Sequence, residues 1–135
     1  MKIQSNENYI ELDVSLEEDE SLPSCGDVYL SISASSHGFS GKNDLWVQAE
    51  EFRRFCAELV KLEKERKGEA TLKSISPGEL YLKVYAIDSL GHIAISGNTG
   101  YEIDNIEHNV TFGFQIEPNA LEKMVRASWV RETIA

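Results

Sequence analysis

The spacing of apolar residues predicts three strands in the first third of the chain. Over Tyr9–Val14 every second side chain is apolar, so one face of this segment is apolar and the other is polar. The same period of two extends over Asp27–Ser35 and, less regularly because of its glycine and asparagine, over Phe39–Val47. Because short turns join consecutive strands, we expect mainly antiparallel pairing.

A helical period of about 3.6 residues replaces this alternation after Val47. Between about Ala49 and Lys67 the apolar residues recur at the spacing of one helix face; they are Phe52, Phe55, Cys56, Leu59, Val60 and Leu62. Acidic residues begin this segment and basic residues end it, which suits the helix dipole. Gly68 is placed to end the helix.

Alternation returns in the second half and predicts four more strands. They are expected at Ala70–Ile75, Leu80–Ile87, His92–Asn98 and Val110–Ile116. The stretch Gly97–Asn105 reads as a polar loop, and Pro118 opens a last helix. The order βββ-α-ββββ-α predicts one α+β domain over residues 1–135. We expect a mainly antiparallel, twisted sheet of about seven strands with the long amphipathic helix packed on one face.

Charge is divided unevenly along the chain. Of the net charge of −10, residues 1–51 contribute −9, since they hold eleven acids and only two bases, Lys2 and Lys42. The rest of the chain holds twelve acids and eleven bases. So acidic a surface repels nucleic acid and attracts cations or basic proteins. We therefore expect a basic protein as partner and no nucleic acid.

The sequence contains no convincing pattern of catalytic or metal-binding residues. Asp88, Ser89 and His92 include the residue types of a catalytic triad, but their run has the composition of a hairpin turn. The three histidines stand in separate segments, without the spacing of metal ligands. We therefore expect no catalytic residue, no metal and no cofactor, and we expect the chain not to be an enzyme.

The compartment follows from the cysteines and from hydropathy. Cys25 lies in a turn-like context and Cys56 on the apolar helix face, so reduced thiols in a cytoplasm are expected, with a single bridge between them left open. The N-terminal residues lack the apolar region of a secretory signal. No apolar run approaches the roughly 18 residues of a membrane span. We expect a cytoplasmic protein without a membrane partner.

Three aromatic residues lie opposite the predicted core faces of their strands. Trp46 alternates with Leu45 and Val47, and Tyr81 and Tyr85 alternate with the apolar residues of their strand. If the C-terminal helix covers that face, these aromatics form a second small core. If it does not, they form an exposed patch, and Tyr and Trp rimmed by charge are typical of binding hot spots.

Several runs together resemble the WapI family of bacterial immunity proteins over residues 8–126. They are Gly26-Asp27-Val28-Tyr29-Leu30, Gly38-Phe39-Ser40-Gly41 leading to Trp46-Val47, and Ser76-Pro77-Gly78-Glu79-Leu80 through Ile87-Asp88-Ser89-Leu90-Gly91-His92. The resemblance implies a small cytoplasmic antidote that binds and blocks the C-terminal toxin domain of a polymorphic secreted toxin. It supplies no catalytic residues and does not name the toxin.

The acidic segment and this resemblance favour the same kind of partner. Toxins that cut nucleic acid need basic surfaces to hold phosphate, and an acidic protein can occupy such a surface. The candidate contact residues are Glu11, Asp13, Glu17, Glu18, Asp19, Glu20 and Asp27, together with Trp46, Tyr81 and Tyr85. Two alternatives stay open: an adaptor or homo-oligomeric structural protein, and an enzyme of unrecognised type. The oligomeric state is not predicted.

Overall fold

The computed structural model describes all residues from 1 to 135 and contains eight strands and three helices. In chain order they are β1 (Lys2–Ser5), β2 (Asn8–Leu16), β3 (Val28–Ser36), β4 (Phe39–Val47), α1 (Ala49–Glu65), β5 (Glu69–Lys73), β6 (Leu80–Ala86), β7 (Ile93–Ile103), β8 (Ile106–Ile116), α2 (Pro118–Val125) and α3 (Ser128–Ile134). None of the helices is long and apolar enough to cross a membrane.

The strands form two four-stranded antiparallel sheets, in the orders β1-β2-β3-β4 and β5-β6-β7-β8. The α+β class and the antiparallel pairing are confirmed, but the single sheet of about seven strands is wrong. Every pair of neighbours is also consecutive in sequence, so each sheet is a simple meander. The helix α1 connects β4, the last strand of the first sheet, to β5, the first strand of the second sheet.

A single cluster of 27 buried residues fills the space between the two sheets and the helices. The first sheet contributes the inward side chains of β2 and β3, which pair across the strands as Leu12 with Ile32 and Ile10 with Ala34. The second sheet contributes those of β6 to β8, among them Leu82 and Phe114. The inward faces predicted from period two are confirmed on these strands.

The two sheets meet where β3 and β4 contact β7 and β8. The Ser36 hydroxyl donates to the carbonyl of Gly113 and accepts from its amide, at 3.0 Å each. Farther along, the Asn43 side-chain amide donates to the carbonyl of Gly100 at 2.8 Å. At Gly41 a Cβ would lie 3.0 Å from the Cγ1 of Val110, so β4 and β8 pack closely at this point.

The helix α1 buries its predicted apolar stripe, including Phe52, Phe55 and Cys56. It contacts β5 and β6 of the second sheet and both C-terminal helices, so it is shared among these elements instead of lying on the face of one sheet. It ends earlier than expected, because Arg66 adopts the left-handed conformation and its amide bonds to the Leu62 carbonyl.

The C-terminal segment is two short helices where the sequence predicted one. The chain bends at Arg126 and Ala127, between α2 and α3. Trp129 of α3 packs on Phe52 of α1, with ring centroids 5.5 Å apart.

The region from Gly97 to Asn105, predicted as a polar loop, is mostly strand. Both β7 and β8 are 11 residues long, and Ile103 pairs directly with Ile106 around the two-residue turn Asp104–Asn105. Both turn residues have positive φ, as a type I′ hairpin turn requires. The strand β1 was also missed, because four residues with one buried side chain give little alternation to detect.

Candidate protein-binding surface

The outer face of the first sheet is left uncovered by the helices, and we call it the open face. Alternation along β2, β3 and β4 directs polar and aromatic side chains outward while the apolar ones enter the core. None of the outward residues of these three strands is buried. Strand register aligns them in cross-strand rows, the last of which contains Ser15, Tyr29 and Trp46.

Tyr29 and Trp46 form an aromatic pair at one end of this face. Their ring centroids are 5.1 Å apart and their planes are tilted by 59°. Both residues are more than one third exposed, at 39% and 37% of their full accessible surface. Ile75, itself exposed, lies at the same end, because its amide donates to the Trp46 carbonyl at 2.9 Å. Three large apolar side chains near this end of the open face are therefore exposed to solvent.

Carboxylates lie directly beside the aromatic pair. The neighbouring row is Asp13, Ser31 and Asp44, so the two acids stand on either side of the central strand, about 10 Å apart at the usual strand spacing. Asp44 accepts a hydrogen bond from the Ser31 hydroxyl at 2.6 Å, which holds its side chain against the sheet. Both acids are exposed, and no base shares their row.

Glu11 lies in the next row, farther from the aromatic pair, and its surroundings are mixed in charge. Its cross-strand partner on β1 is Lys2, and Lys42 occupies the far position of the same row. The Lys2 ammonium sits over the Tyr9 ring, 4.5 Å from its centroid, instead of pairing with Glu11. The negative charge of the open face therefore increases from this row towards Tyr29 and Trp46.

The β2–β3 loop adds acids at the aromatic end of the face. The loop is closed by the Glu17 amide bonding to the Asp27 carbonyl and the Gly26 amide bonding to the Glu17 carbonyl. Glu18 and Glu20 are exposed and make neither a hydrogen bond nor an ion pair through their side chains. The acidic end is our name for Asp13, Asp44, residues 17–20 of this loop and the Tyr29–Trp46 pair.

Three of the predicted contact acids have structural roles as well. Glu17 accepts from the amide of Asp19 at 3.2 Å. Asp19 accepts from the amide and the hydroxyl of Ser21, and the hydroxyl bond lowers the pKa of its carboxyl below the usual value. Asp27 is half-buried, and its carboxylate accepts from the amide of Ala49, the first residue of α1, at 2.9 Å. Asp27 therefore stabilises the start of the helix and offers little surface to a partner.

No residue of the acidic end takes part in an ion pair, in contrast to the rest of the molecule. All seven ion pairs lie between residues 51 and 126. Glu51 pairs with Arg54, and the other ten acids of residues 1–51 have no basic partner. On α1, Arg54 bonds both Glu51 and Glu58 at 2.7 Å, and the Glu51 bond raises the pKa of Arg54.

Tyr81 and Tyr85 lie on the other sheet, apart from Trp46. Both are half-buried on β6, and each carries an ammonium over its ring: Lys73 is 5.9 Å from the Tyr81 centroid and Lys83 is 4.5 Å from that of Tyr85. They form neither the fully buried second core nor the acidic aromatic patch considered from the sequence. The aromatic partner of Trp46 is Tyr29 instead.

The remaining candidates for chemistry are accounted for by local structure. The carboxylate of Asp88 accepts from the amides of Leu90 and His92, and it contacts the His92 ring at 2.7 Å, so the run closes the β6–β7 turn. This bond lowers the pKa of Asp88 and raises the pKa of His92. Nowhere do three or more His, Cys, Asp or Glu side chains gather as metal ligands would.

The two cysteines are both free. Cys25 is exposed in the β2–β3 loop, whereas Cys56 is buried in α1, so the bridge left open by the sequence is absent. Burial raises the pKa of the Cys56 thiol to about 12, which keeps it protonated and unreactive.

Sequence reasoning missed Tyr29 and Asp44 as members of this surface. Both alternate with core residues of their strands, so their outward direction was readable. What was missing was the register, since only the β3–β4 pairing sets Tyr29 opposite Trp46 and Ser31 opposite Asp44.

Comparison with known proteins gives one match. The family model described as "Immunity protein WapI-like family" matches residues 2–128. This confirms the resemblance stated from the sequence. A search of curated proteins and a search of solved structures each found no match.

Proposed function

Because the chain belongs to the WapI-like immunity protein family, which implies a toxin-neutralising role, we propose that it binds a basic, nuclease-like toxin domain through the acidic end of the open face. The chain acts as a cytoplasmic antidote without turnover, and its partner is the cognate toxin. The observation that carries this proposal is the coincidence of unpaired carboxylates with an exposed aromatic pair on one uncovered sheet face.

The charge of the acidic end suits a partner that handles nucleic acid. A nuclease domain needs a basic surface to hold phosphate, and that surface is complementary to carboxylates without cations of their own. Ten such acids lie in residues 1–50. Since these acids make no ion pair within the chain, no ion pair of theirs has to be broken when a partner binds. Their field also steers a basic domain towards the open face before contact.

The aromatic pair supplies short-range binding energy. Tyr and Trp are the residues most enriched where a few side chains dominate an interface, and they favour a centre surrounded by polar residues. Tyr29 and Trp46 have polar residues beside them, since Asp13 and Asp44 occupy the adjacent row. The carboxylates therefore attract the partner over a distance, and the two aromatic rings slow its dissociation from the complex.

Co-expression in cells tests the proposal. The probe is the C-terminal domain of a secreted toxin, which the proposal expects to be encoded beside the gene for this chain, produced with and without the chain. Neutralisation predicts that growth is restored by the wild-type chain, and that restoration is lost when Trp46→Ala and Asp44→Lys are combined. A wild-type chain that fails to protect, and shows no binding to that domain in solution, contradicts the proposed function.

Light scattering separates this proposal from the homo-oligomer alternative. At a net charge of −10, copies of the chain repel one another, so we expect a monomer at micromolar concentration. A stable oligomer that buries Tyr29 and Trp46 would favour the structural alternative instead.

A further inference from the structure

The hairpin at the end of β7 and β8 projects beyond the second sheet, and we call residues 101–109 the arm. The neighbouring strand β6 pairs with β7 only as far as Thr99, whereas β7 and β8 continue to pair up to Ile103 and Ile106. Every residue of the arm is exposed. Two strands without a core beneath them gain little stability from burial, so the extension does not serve the fold.

One face of the arm is apolar. Direct cross-strand pairing puts Tyr101 beside His108 and Ile103 beside Ile106, and alternation directs all four side chains to the same side. The Tyr101 and His108 rings are 5.6 Å apart. Ile103 is 54% exposed and Ile106 is 59% exposed. Neighbouring large apolar side chains that stay open to water mark an interaction site.

The opposite face of the arm is acidic and unneutralised. Glu102 pairs directly with Glu107 across the strands, and Asp104 lies at the turn. None of the three acids is in an ion pair. Like charges directly opposite each other destabilise a strand pair, so this arrangement costs stability in the free protein and is relieved by a cation. A basic partner supplies that cation.

The base of the arm lies beside β4, next to the row of the open face that contains Lys42. Asn43 of β4 bonds the Gly100 carbonyl at the base of the arm. Beside it, a cleft of about 460 Å³ runs between β4 and the arm, with Lys42 and Ser40 on one wall and Tyr101 and His108 on the other. A partner seated on the open face therefore lies within reach of the arm.

We propose that the arm is a second anchoring element for the same basic toxin domain, inserting its apolar face into an apolar groove with a basic rim. This inference rests on the proposed function. The open face attracts and orients the toxin domain, and the arm slows its release. A second copy of the chain is a poorer occupant, because two copies that each carry a net charge of −10 repel one another.

The test compares arm variants with a matched exposed site on the same sheet. Ile103→Thr with Ile106→Thr removes apolar surface and keeps the β-branched shape that strands favour. The control is Leu90→Thr, since Leu90 is 81% exposed in the β6–β7 turn at the other end of β7. Dissociation from the immobilised toxin domain encoded beside the gene is measured for each variant and for the wild type.

The inference predicts that the double arm variant dissociates at least about tenfold faster, whereas Leu90→Thr stays within about twofold of the wild type. Glu102→Gln with Glu107→Gln is expected to raise the thermal midpoint and yet weaken binding, which a merely structural role would not produce. The thermal midpoint also shows that each variant is folded.

Each outcome bears on a different claim. If the wild type binds and the arm variants dissociate at its rate, the arm inference is overturned and the proposed function stands. If the wild-type chain does not bind the toxin domain, both are overturned. If light scattering shows a wild-type dimer that Ile103→Thr with Ile106→Thr converts to a monomer, the arm is an interface between copies, and the inference is again overturned.

Discussion

Trp46 and Tyr29 are direct cross-strand partners in β3 and β4, and their rings contact each other on the outer face. The next pair along the same strands, Val28 and Val47, points inward and is fully buried. The register of the β3–β4 pairing therefore determines both a core contact and an exposed aromatic contact. Because the valine pair holds the strands together, the aromatic pair is held in position with much of its surface left for a partner.

Removing the Trp46 ring is expected to damage binding far more than folding. Trp46→Ala deletes a ring that is already 37% exposed, so little core packing is lost. If the ring is a binding centre, affinity for the toxin domain falls by about 2 kcal/mol or more, roughly thirtyfold in Kd. Titration calorimetry measures the affinity, and thermal unfolding measures the stability.

The control for this variant is the other tryptophan. Trp129 packs on Phe52 among the helices, so Trp129→Ala is expected to lower the free energy of unfolding by about 2 kcal/mol while affinity stays unchanged. The reverse pattern, with Trp46→Ala unstable and still binding fully, contradicts the assignment.

Neutralising the acidic end is expected to slow association. The variant combines Asp13→Asn, Asp44→Asn and Glu18→Gln, which keeps the side-chain shapes. We expect an association rate about tenfold lower at low salt, with a weaker dependence on salt, because these acids supply the steering field. Stopped-flow mixing with the toxin domain over a range of salt concentrations measures both.

A second triple variant has the same net charge and serves as the control. It combines Glu63→Gln, Glu65→Gln and Glu132→Gln, acids that lie on α1 and α3. If both variants slow association equally, global charge is sufficient and the acidic end has no special role.

Asp27 is expected to behave differently from the other predicted contact acids. Asp27→Ala removes the acceptor for the Ala49 amide at the start of α1, so the free energy of unfolding falls by about 1 kcal/mol. Asp27→Asn keeps an oxygen at the same place and is expected to recover most of this loss. Urea unfolding gives the stabilities, and a loss of affinity in Asp27→Asn without a loss of stability would show direct contact instead.

The thiols are expected to differ sharply in reactivity. At pH 8 an aromatic disulfide reagent reacts with the exposed Cys25 in the native protein, whereas Cys56 has a pKa of about 12 and only about one thiolate in ten thousand molecules. We expect one thiol per chain to react quickly and the second to react only in denaturant. Two fast thiols in the native protein would show that the helix face bearing Cys56 opens to solvent.

Local pattern was enough to predict most of the elements, and the family resemblance followed from short runs. The strand Phe39–Val47 was predicted with its observed bounds, and the start of α1 at Ala49 was also predicted. The two-residue period of a strand and the 3.6-residue period of a helix both reflect which face of the element is buried. Here the buried faces pack into one shared core. What alternation does not determine is which strands are neighbours, and the division into two sheets was therefore missed.

The arm was missed for a separate physical reason. The stretch Gly97–Asn105 was predicted as a polar loop, but in the structure its two glycines mark close approaches between backbones. A Cβ at Gly97 would overlap the Tyr81 carbonyl, and one at Gly100 would overlap the His108 carbonyl. These glycines permit the strands to continue towards the exposed hairpin. The turn Asp104–Asn105 between Ile103 and Ile106 was the available signal.

Labelling of carboxylates in the complex tests the central claim most directly. A carbodiimide and an amine modify exposed Asp and Glu side chains, and mass spectrometry reads the extent of modification at each site with and without the toxin domain. The account predicts that binding protects Asp13, Glu18, Glu20 and Asp44 while Glu63, Glu65 and Glu132 on the helices react as in the free chain. Protection confined to the helix acids, with the acidic end still fully reactive in the complex, would contradict it.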